Sequence, residues 1–346
     1  MRDSSSGLTF SVKPFQQLDP CERDTWAALV DRYPDYRRAF MAPAYAEAVA
    51  AGNPAVRVLL AHAGGRTVGF MPLQARTDMA GRLGVHEPVG GVMSDYFGWV
   101  ADPALQVDMS EALRACGVPL LAFTHLEAAQ LQHGLVAEQP RIGLQTRIEE
   151  PVADFWQRLR EQDKKFVSDT ERRERKLAKD HGKLCFELDS GTPHEDLATL
   201  IALKCAQYTR SEKLQAPLFV RRNVELLYRL LDARSPQCTG MLSTLKLDGR
   251  MVAAHFGLRC HETLHYWFPV YDPAFSSYAP GRILFRRVLE ASALQGVRCI
   301  DRGEGDTPAK RDFANREHLF YRGLWSAGGV SALPGRAALA LLWRLG

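Results

Sequence analysis

None of the seven cysteines stands in a Cys-x-x-Cys pair, and none shares a metal-ligand spacing with a histidine. Neither a disulfide framework nor a zinc site is therefore indicated, and the odd count fits a reducing cytosol. Charge of one sign is scarce as well. The 44 Lys and Arg against 40 Asp and Glu leave a formal net charge of +4, too little to argue for nucleic acid by itself, although local basic clusters suit an anionic ligand. No apolar run is long enough to cross a bilayer, and Met1 to Gly7 lack the apolar core of a secretory signal, so a cytoplasmic protein is expected. What is present is ordinary for a globular chain: 46% hydrophobic and 24% charged residues over 346, enough for two cores.

The N-terminal half reads as a strand over Leu8 to Val12, an amphipathic helix carrying Trp26, Leu29 and Val30, and a second helix over Pro43 to Ala51. Arg57 to Ala61 and Thr67 to Leu73 are apolar strands joined by Gly64-Gly65, a hairpin signal. Gly81 to Gly98 is glycine-rich around Ser94-Asp95-Tyr96 and reads as a surface loop or a pocket rim. Phe155 to Lys183 is helical and dense in charge, with Lys165, Arg172, Lys176, Lys179 and Lys183 near one face and Glu171 and Glu174 between them. That face is either solvated or turned to an anionic substrate. Two further amphipathic helices cover Leu197 to Tyr208 and Val220 to Leu231.

From His261 to Phe313 the chain reads as strand, loop, helix, strand and charged turn in one run. His265 to Phe268 and Val270 are aromatic and β-branched, and Tyr271-Asp272-Pro273 ends that strand. A helix starts near Gly281, where Pro280 suits the first turn and Gly281 allows close approach to the backbone; the N–H groups there suit an anion. Val297 to Ile300 form a short strand, and Asp301-Arg302-Gly303-Glu304-Gly305-Asp306 a charged turn where a parallel strand delivers side chains to a site.

Gly65-Arg66-Thr67-Val68 is echoed by Gly249-Arg250-Met251-Val252, each at a turn between apolar strands, which suggests a duplicated α/β unit. The helix Lys164 to Lys183, the hairpin at Asp248-Gly249, Tyr271-Asp272-Pro273, Ala279-Pro280-Gly281 and Asp301 through Gly305 with Lys310 together resemble a GNAT acyltransferase domain over residues 150 to 315. The whole chain resembles the CelD/BcsL-type proteins of polysaccharide biosynthesis, related in fold to the Fem-type aminoacyl transferases. The resemblance implies duplicated GNAT-like domains, each a mixed, largely antiparallel sheet flanked by helices: a supporting domain over 1–150, an acyltransferase domain over 151–330, and a tail helix over 331–346. It implies acetyl-CoA or another acyl-CoA as co-substrate, held at Ala279, Pro280, Gly281 and Arg282, and a sugar or related polar acceptor. In the family's loop pattern, Q/R-x-x-G-x-G/A, backbone N–H groups bind the pyrophosphate; here Arg282 and Ile283 follow Gly281 where a second glycine is expected.

Acyl transfer from a thioester needs donors at the developing oxyanion and a group that takes the nucleophile's proton. Backbone N–H groups near Pro269 to Tyr271 suit the first task, although Pro269 cannot donate. Glu304, Asp306 and Asp301 are the candidate bases, Glu304 first because glycines flank its turn; a solvated turn is the plainer account of all three. His265 reads as a hydrogen-bonded core residue. Two other functions fit: a Fem-like transferase using aminoacyl-tRNA, with the basic helix on the nucleic acid, and a non-catalytic partner of a polysaccharide synthase. For the first reading nucleic acid is not expected, and the apolar stretch Ala337 to Leu345 is expected to pack on the protein, with peripheral membrane contact as the other course.

Overall fold

A computed structural model of the chain describes residues 7–213 and 215–345. It divides into two compact units, Met1–Gly143 with His318–Gly346 and Leu144–Glu317. The division expected near 330 does not appear, because the chain is already back in the first unit at His318.

The first unit contains β1 (Leu8–Pro14), β2 (Val56–Ala63), β3 (Arg66–Ala75), β4 (Val85–Pro88), β5 (Val100–Ala101) and β6 (Leu120–Glu127), with α1 (Pro20–Arg32), α2 (Pro43–Ala50), α3 (Met79–Arg82) and α4 (Met109–Ala115). Asp19 and Glu22 start α1 with a reciprocal cap: the Glu22 N–H donates to Asp19 Oδ1 at 2.8 Å and the Asp19 N–H to Glu22 Oε2 at 3.1 Å. Pro20 fits the first turn. That helix delivers Trp26, fully buried, onto the Phe70 ring at 5.4 Å. Ser94, Tyr96 and Phe97 are buried rather than at a loop surface. Two large rings and a hydroxyl bonded to the Tyr96 carbonyl at 3.0 Å give the segment its own core contacts, which its glycines concealed.

β7 (Glu138–Arg147) leads into the second unit, whose elements are α5 (Val152–Gln162), α6 (Lys164–His181), β8 (Leu184–Glu187), α7 (Pro193–Arg210), α8 (Arg221–Asp232), β9 (Thr239–Leu247), β10 (Arg250–Cys260), β11 (Thr263–Tyr271), α9 (Pro280–Leu294), β12 (Cys299–Glu304) and α10 (Pro308–Arg311). β13 (Arg316–Ser326) and α11 (Leu333–Leu345) return to the first. The helical stretch expected from Phe155 to Lys183 is two helices, since Asp163 leaves helical geometry at φ −143° and caps α6 through the Phe166 N–H. Leu339 of α11 is buried with Ala80, Val85, Leu120 and Ala332; the side chains of 341–346 lie outside the described residues. Among the described residues no helix is long and apolar enough to cross a membrane, and all seven cysteines are free thiols.

The strand order is β1-β2-β3-β4-β6-β13 in the first unit and β8-β9-β10-β11-β12-β7 in the second. In both, the first four strands are antiparallel and the fourth and fifth parallel. The hairpins echoed in the sequence join the second and third strands of each. Gly64 and Gly65 have φ +55° and +76°, and Asp248 and Gly249 +47° and +84°, the all-positive pair that suits the twist of a two-residue hairpin. The fold is thus α/β, mostly antiparallel and flanked by helices, and the same topology appears twice.

The core of the second unit lies between its sheet and α9. Ile283, Leu284, Phe285, Val288 and Leu289 recur at helical spacing and pack on Leu245, Val252, Leu264 and Tyr266. The register of β10 on β11 shifts between Phe256 and Leu258. Gly257 permits it: a Cβ there would fall 2.3 Å from the His265 carbonyl oxygen. Gly257→Ala is expected to lower stability by about 1–3 kcal/mol, read as a shifted denaturation midpoint at unchanged slope.

Candidate active site

β11 and β12 pair in parallel over Thr263–His265 and Cys299–Asp301, and both run on, to Tyr271 and Glu304. On its other side β11 stays paired with β10 as far as Ala253 and Tyr271, and the Asp272 N–H donates to the Val252 carbonyl at 2.9 Å. Antiparallel pairs alternate between bonded and non-bonded positions. That bond places Val270 and Phe268 among the bonded pairs, so the backbone groups of Pro269 and Tyr271 point away from β10, toward the β12 side. A proline is tolerated at such a place because no ladder bond to β10 is lost. Beyond His265, then, one edge of β11 faces an opening.

The start of α9 follows from the next turn. Asp272 accepts from the Ala274 N–H at 2.9 Å and from Arg250 at 2.6 Å. Ala279 then takes the left-handed conformation, φ +52°, ψ +53°, as N-cap, with Pro280 in the first turn. The N–H groups of Arg282 and Ile283 both turn onto the Ala279 carbonyl, at 3.0 and 3.3 Å. Gly281 keeps a first-turn amide with no acceptor inside the helix. Arg282 is drawn sideways, 3.4 Å from Asp169 and 3.6 Å from Asp312, with its guanidinium 4.4 Å above the Phe166 ring. A cleft of about 500 Å³ there is lined by Asp163, Lys165, Phe166, Ser168, Asp169, Arg172 and Arg282. The basic face of α6 is thus partly engaged: Arg172 pairs with Asp169 at 2.5 Å, and Lys176 with Asp180.

A methyl group at Gly281 would meet only Tyr271 Cδ1, at 3.7 Å, an ordinary contact. Gly281→Ala is therefore expected to fold and melt as the parent protein does. Gly281→Trp is expected to weaken donor binding at least tenfold with turnover at saturation changed less, which titration and steady-state kinetics separate.

Asp301, Arg302, Gly303 and Glu304 do not form a turn; they continue β12. The pairing with β11 ends where His265 faces Asp301; β12, which has β7 on its other side, runs on through the glycine to Glu304. Asp301 is wholly buried, accepting from Gln145 Nε2 at 3.0 Å and the Gly303 N–H at 2.7 Å, with His265 Nδ1 at 3.6 Å. Its carboxylate fixes the end of the paired segment. Asp306 is exposed and clamped by Arg311, Nε at 2.5 Å and Nη2 at 2.7 Å, which holds its carboxyl below the usual range. Glu304, half-buried, is the last residue of β12, three beyond the last position paired with β11, and Lys310 Nζ donates to its carbonyl at 2.7 Å.

Sequence patterns missed a buried group beside this place. His255 lies flat on Tyr266, ring centroids 3.8 Å apart and planes 5° apart, and burial keeps its imidazole neutral while raising the Tyr266 phenol. Arg302 sits 4.4 Å above the Phe285 ring and donates to the Ala309 and Lys310 carbonyls at 2.9 and 3.0 Å; burial pushes its pKa down to about 10. Lys204, on α7, was also missed. It donates to the Pro269 carbonyl at 2.7 Å across 65 residues of chain, and a lone lysine in a helix gives no sign of such a partner.

Residues 164–311 match the family model described as an acetyltransferase (GNAT) domain. The second unit is a GNAT-type acyltransferase domain. Among solved structures the chain is similar to FemX, at 13% identity and TM-score 0.59 over 92% of this chain and 98% of that one. It is also similar to the C-terminal domain (DUF2156) of a putative lysylphosphatidylglycerol synthetase from Agrobacterium fabrum, at 12% and 0.55 over 92% and 95%. L-PGS from Bacillus licheniformis gives 10% and 0.52 over 93% and 96%. At these identities the likeness is one of fold. No curated protein matches.

Proposed function

We propose that the second unit moves an acyl group, acetyl first among the candidates, from acyl-CoA to an amine or hydroxyl of a sugar or related polar acceptor, in polysaccharide biosynthesis. The observation that carries this reading is the opened edge of β11, with Glu304 at the end of the strand that has left it and the α9 start close by in sequence. The Gly281 amide holds an anionic part of the donor. The acceptor's nitrogen or oxygen attacks the thioester carbon, the carbonyl electron pair moves onto oxygen, and Glu304 takes the proton. The pair then returns, the C–S bond breaks, and the thiol leaves with a proton.

The first unit takes the supporting role. Where its fourth and fifth strands part, Phe97 fills the place: it bridges to Leu126, and its N–H donates to the His125 carbonyl at 3.1 Å. A second reading, a Fem-like transferase taking aminoacyl-tRNA, is favoured by the fold likeness to FemX along the chain and by Lys165 and Arg172 on the α6 cleft. Calorimetric titration separates the two, joined to a thiol-release assay over a panel of amino sugars and polysaccharide fragments. The expected result is binding of acetyl-CoA and acceptor-dependent thiol release. Binding of aminoacyl-tRNA with none of acetyl-CoA would overturn the first reading.

A further inference from the structure

Pro269 is the residue of β11 at which the opening lacks a backbone donor, and it is the one whose carbonyl Lys204 holds. The alternation derived above turns that carbonyl toward the β12 side, so the Lys204 ammonium, 2.7 Å from it, lies at the opened edge. An ammonium has three donors, and the Pro269 carbonyl occupies one. Among the described residues no carboxylate pairs with Lys204; its other neighbour is the Tyr208 ring, 5.4 Å from Nζ. The remaining donors are available to an oxygen at the opened edge.

We propose that Lys204 is a catalytic residue that gives an ammonium N–H to the acyl carbonyl oxygen, replacing the backbone donor that proline removes at position 269. This rests on the acyl-transfer reading. As the acceptor attacks, the carbonyl electron pair collects on that oxygen beside the ammonium; it returns to carbon as the C–S bond breaks, and Lys204 keeps its proton throughout. Burial, helped by the nearby Lys213 charge, pushes the Lys204 pKa down to about 8. Around it, Cys205 and Tyr208 on α7 are raised by burial and neutral, His255 on β10 is held neutral by burial, and Asp196 of α7 is paired with Lys246 of β9 at 2.7 Å. The working form is the protonated one, so turnover should fall as pH rises through about 8. A lysine acting as base would give the opposite slope.

The test compares the parent protein with Lys204→Met and Lys204→Arg. With acetyl-CoA and an accepted amine, Lys204→Met should lower kcat by about a hundredfold at little cost in KM, the loss of one oxyanion donor. Lys204→Arg should recover at least tenfold over the methionine variant and abolish the fall above pH 8. A readout that needs no turnover is acetic-anhydride labelling followed by mass spectrometry, in which a ketone analogue of the acyl-CoA, unable to transfer, should protect Lys204. Lys204→Met within threefold of the parent, a loss confined to KM, a rate rising through pH 8, or a bound analogue that leaves Lys204 reactive would each overturn the role. Should the methionine variant melt far below the parent, the unprotected lysine of the parent protein alone decides. A parent protein that neither binds the analogue nor releases thiol would overturn the acyl-CoA reading, and this role with it.

Discussion

Glu304→Gln is expected to lower turnover by about a hundredfold or more, with donor affinity within a few-fold of the parent, because a positioned base contributes roughly that factor and the amide cannot take the proton. The comparison that gives the result its meaning is with the other two carboxylates. Asp306→Asn breaks an exposed pair with Arg311 and should leave turnover near normal. Asp301→Asn should lower stability first, since the carboxylate is buried and accepts from Gln145 and the Gly303 N–H. Initial rates at saturating donor, with donor titration on the same samples, read all three. Near-normal turnover for Glu304→Gln with a verified acceptor would remove Glu304 from the mechanism.

Phe285→Ala is expected to cost about 3–5 kcal/mol, the range for truncating a buried aromatic residue. The ring is 1% exposed, meets Tyr266 edge-on at 5.0 Å and Phe313 at 4.7 Å, and carries the Arg302 guanidinium on its face. The alanine leaves a cavity and strips a buried cation of its platform, so the loss should exceed that of an ordinary leucine truncation at the unit's edge. Denaturant unfolding followed by tryptophan fluorescence measures it. A change under about 1 kcal/mol would mean that the site collapses without strain.

The duplicated fold was legible because its signals are local. Gly64-Gly65 and Asp248-Gly249 demand positive φ, and the apolar spacing of Ile283, Leu284, Val288 and Leu289 repeats with the helical turn. The candidate site was legible only where it is local too, at Ala279-Pro280-Gly281 and along the run to Glu304. Asp301 to Asp306 reads as a turn because two glycines and four charges look solvated; that Asp301 to Glu304 belong to a strand depends on the place of β12 between β11 and β7, which no local pattern shows. Lys204 and Pro269 met no pattern at all, since their bond exists only once α7 is laid on the sheet.

The return of the chain at His318 has a kinetic consequence. β13 pairs with β6 through Phe320 and Glu127 down to Ser326 and Leu120, residues separated by about two hundred positions, with the whole second unit between them. On a ribosome the first unit must wait with its sheet one strand short while 144–317 is made and folds as a self-contained insert. Its sixth strand arrives only after the whole second unit has emerged. During that wait β6 is a bare edge, open to pairing with another nascent chain. Dilution from denaturant should therefore show a fast phase from the second unit and a slower one, sensitive to protein concentration, from the first.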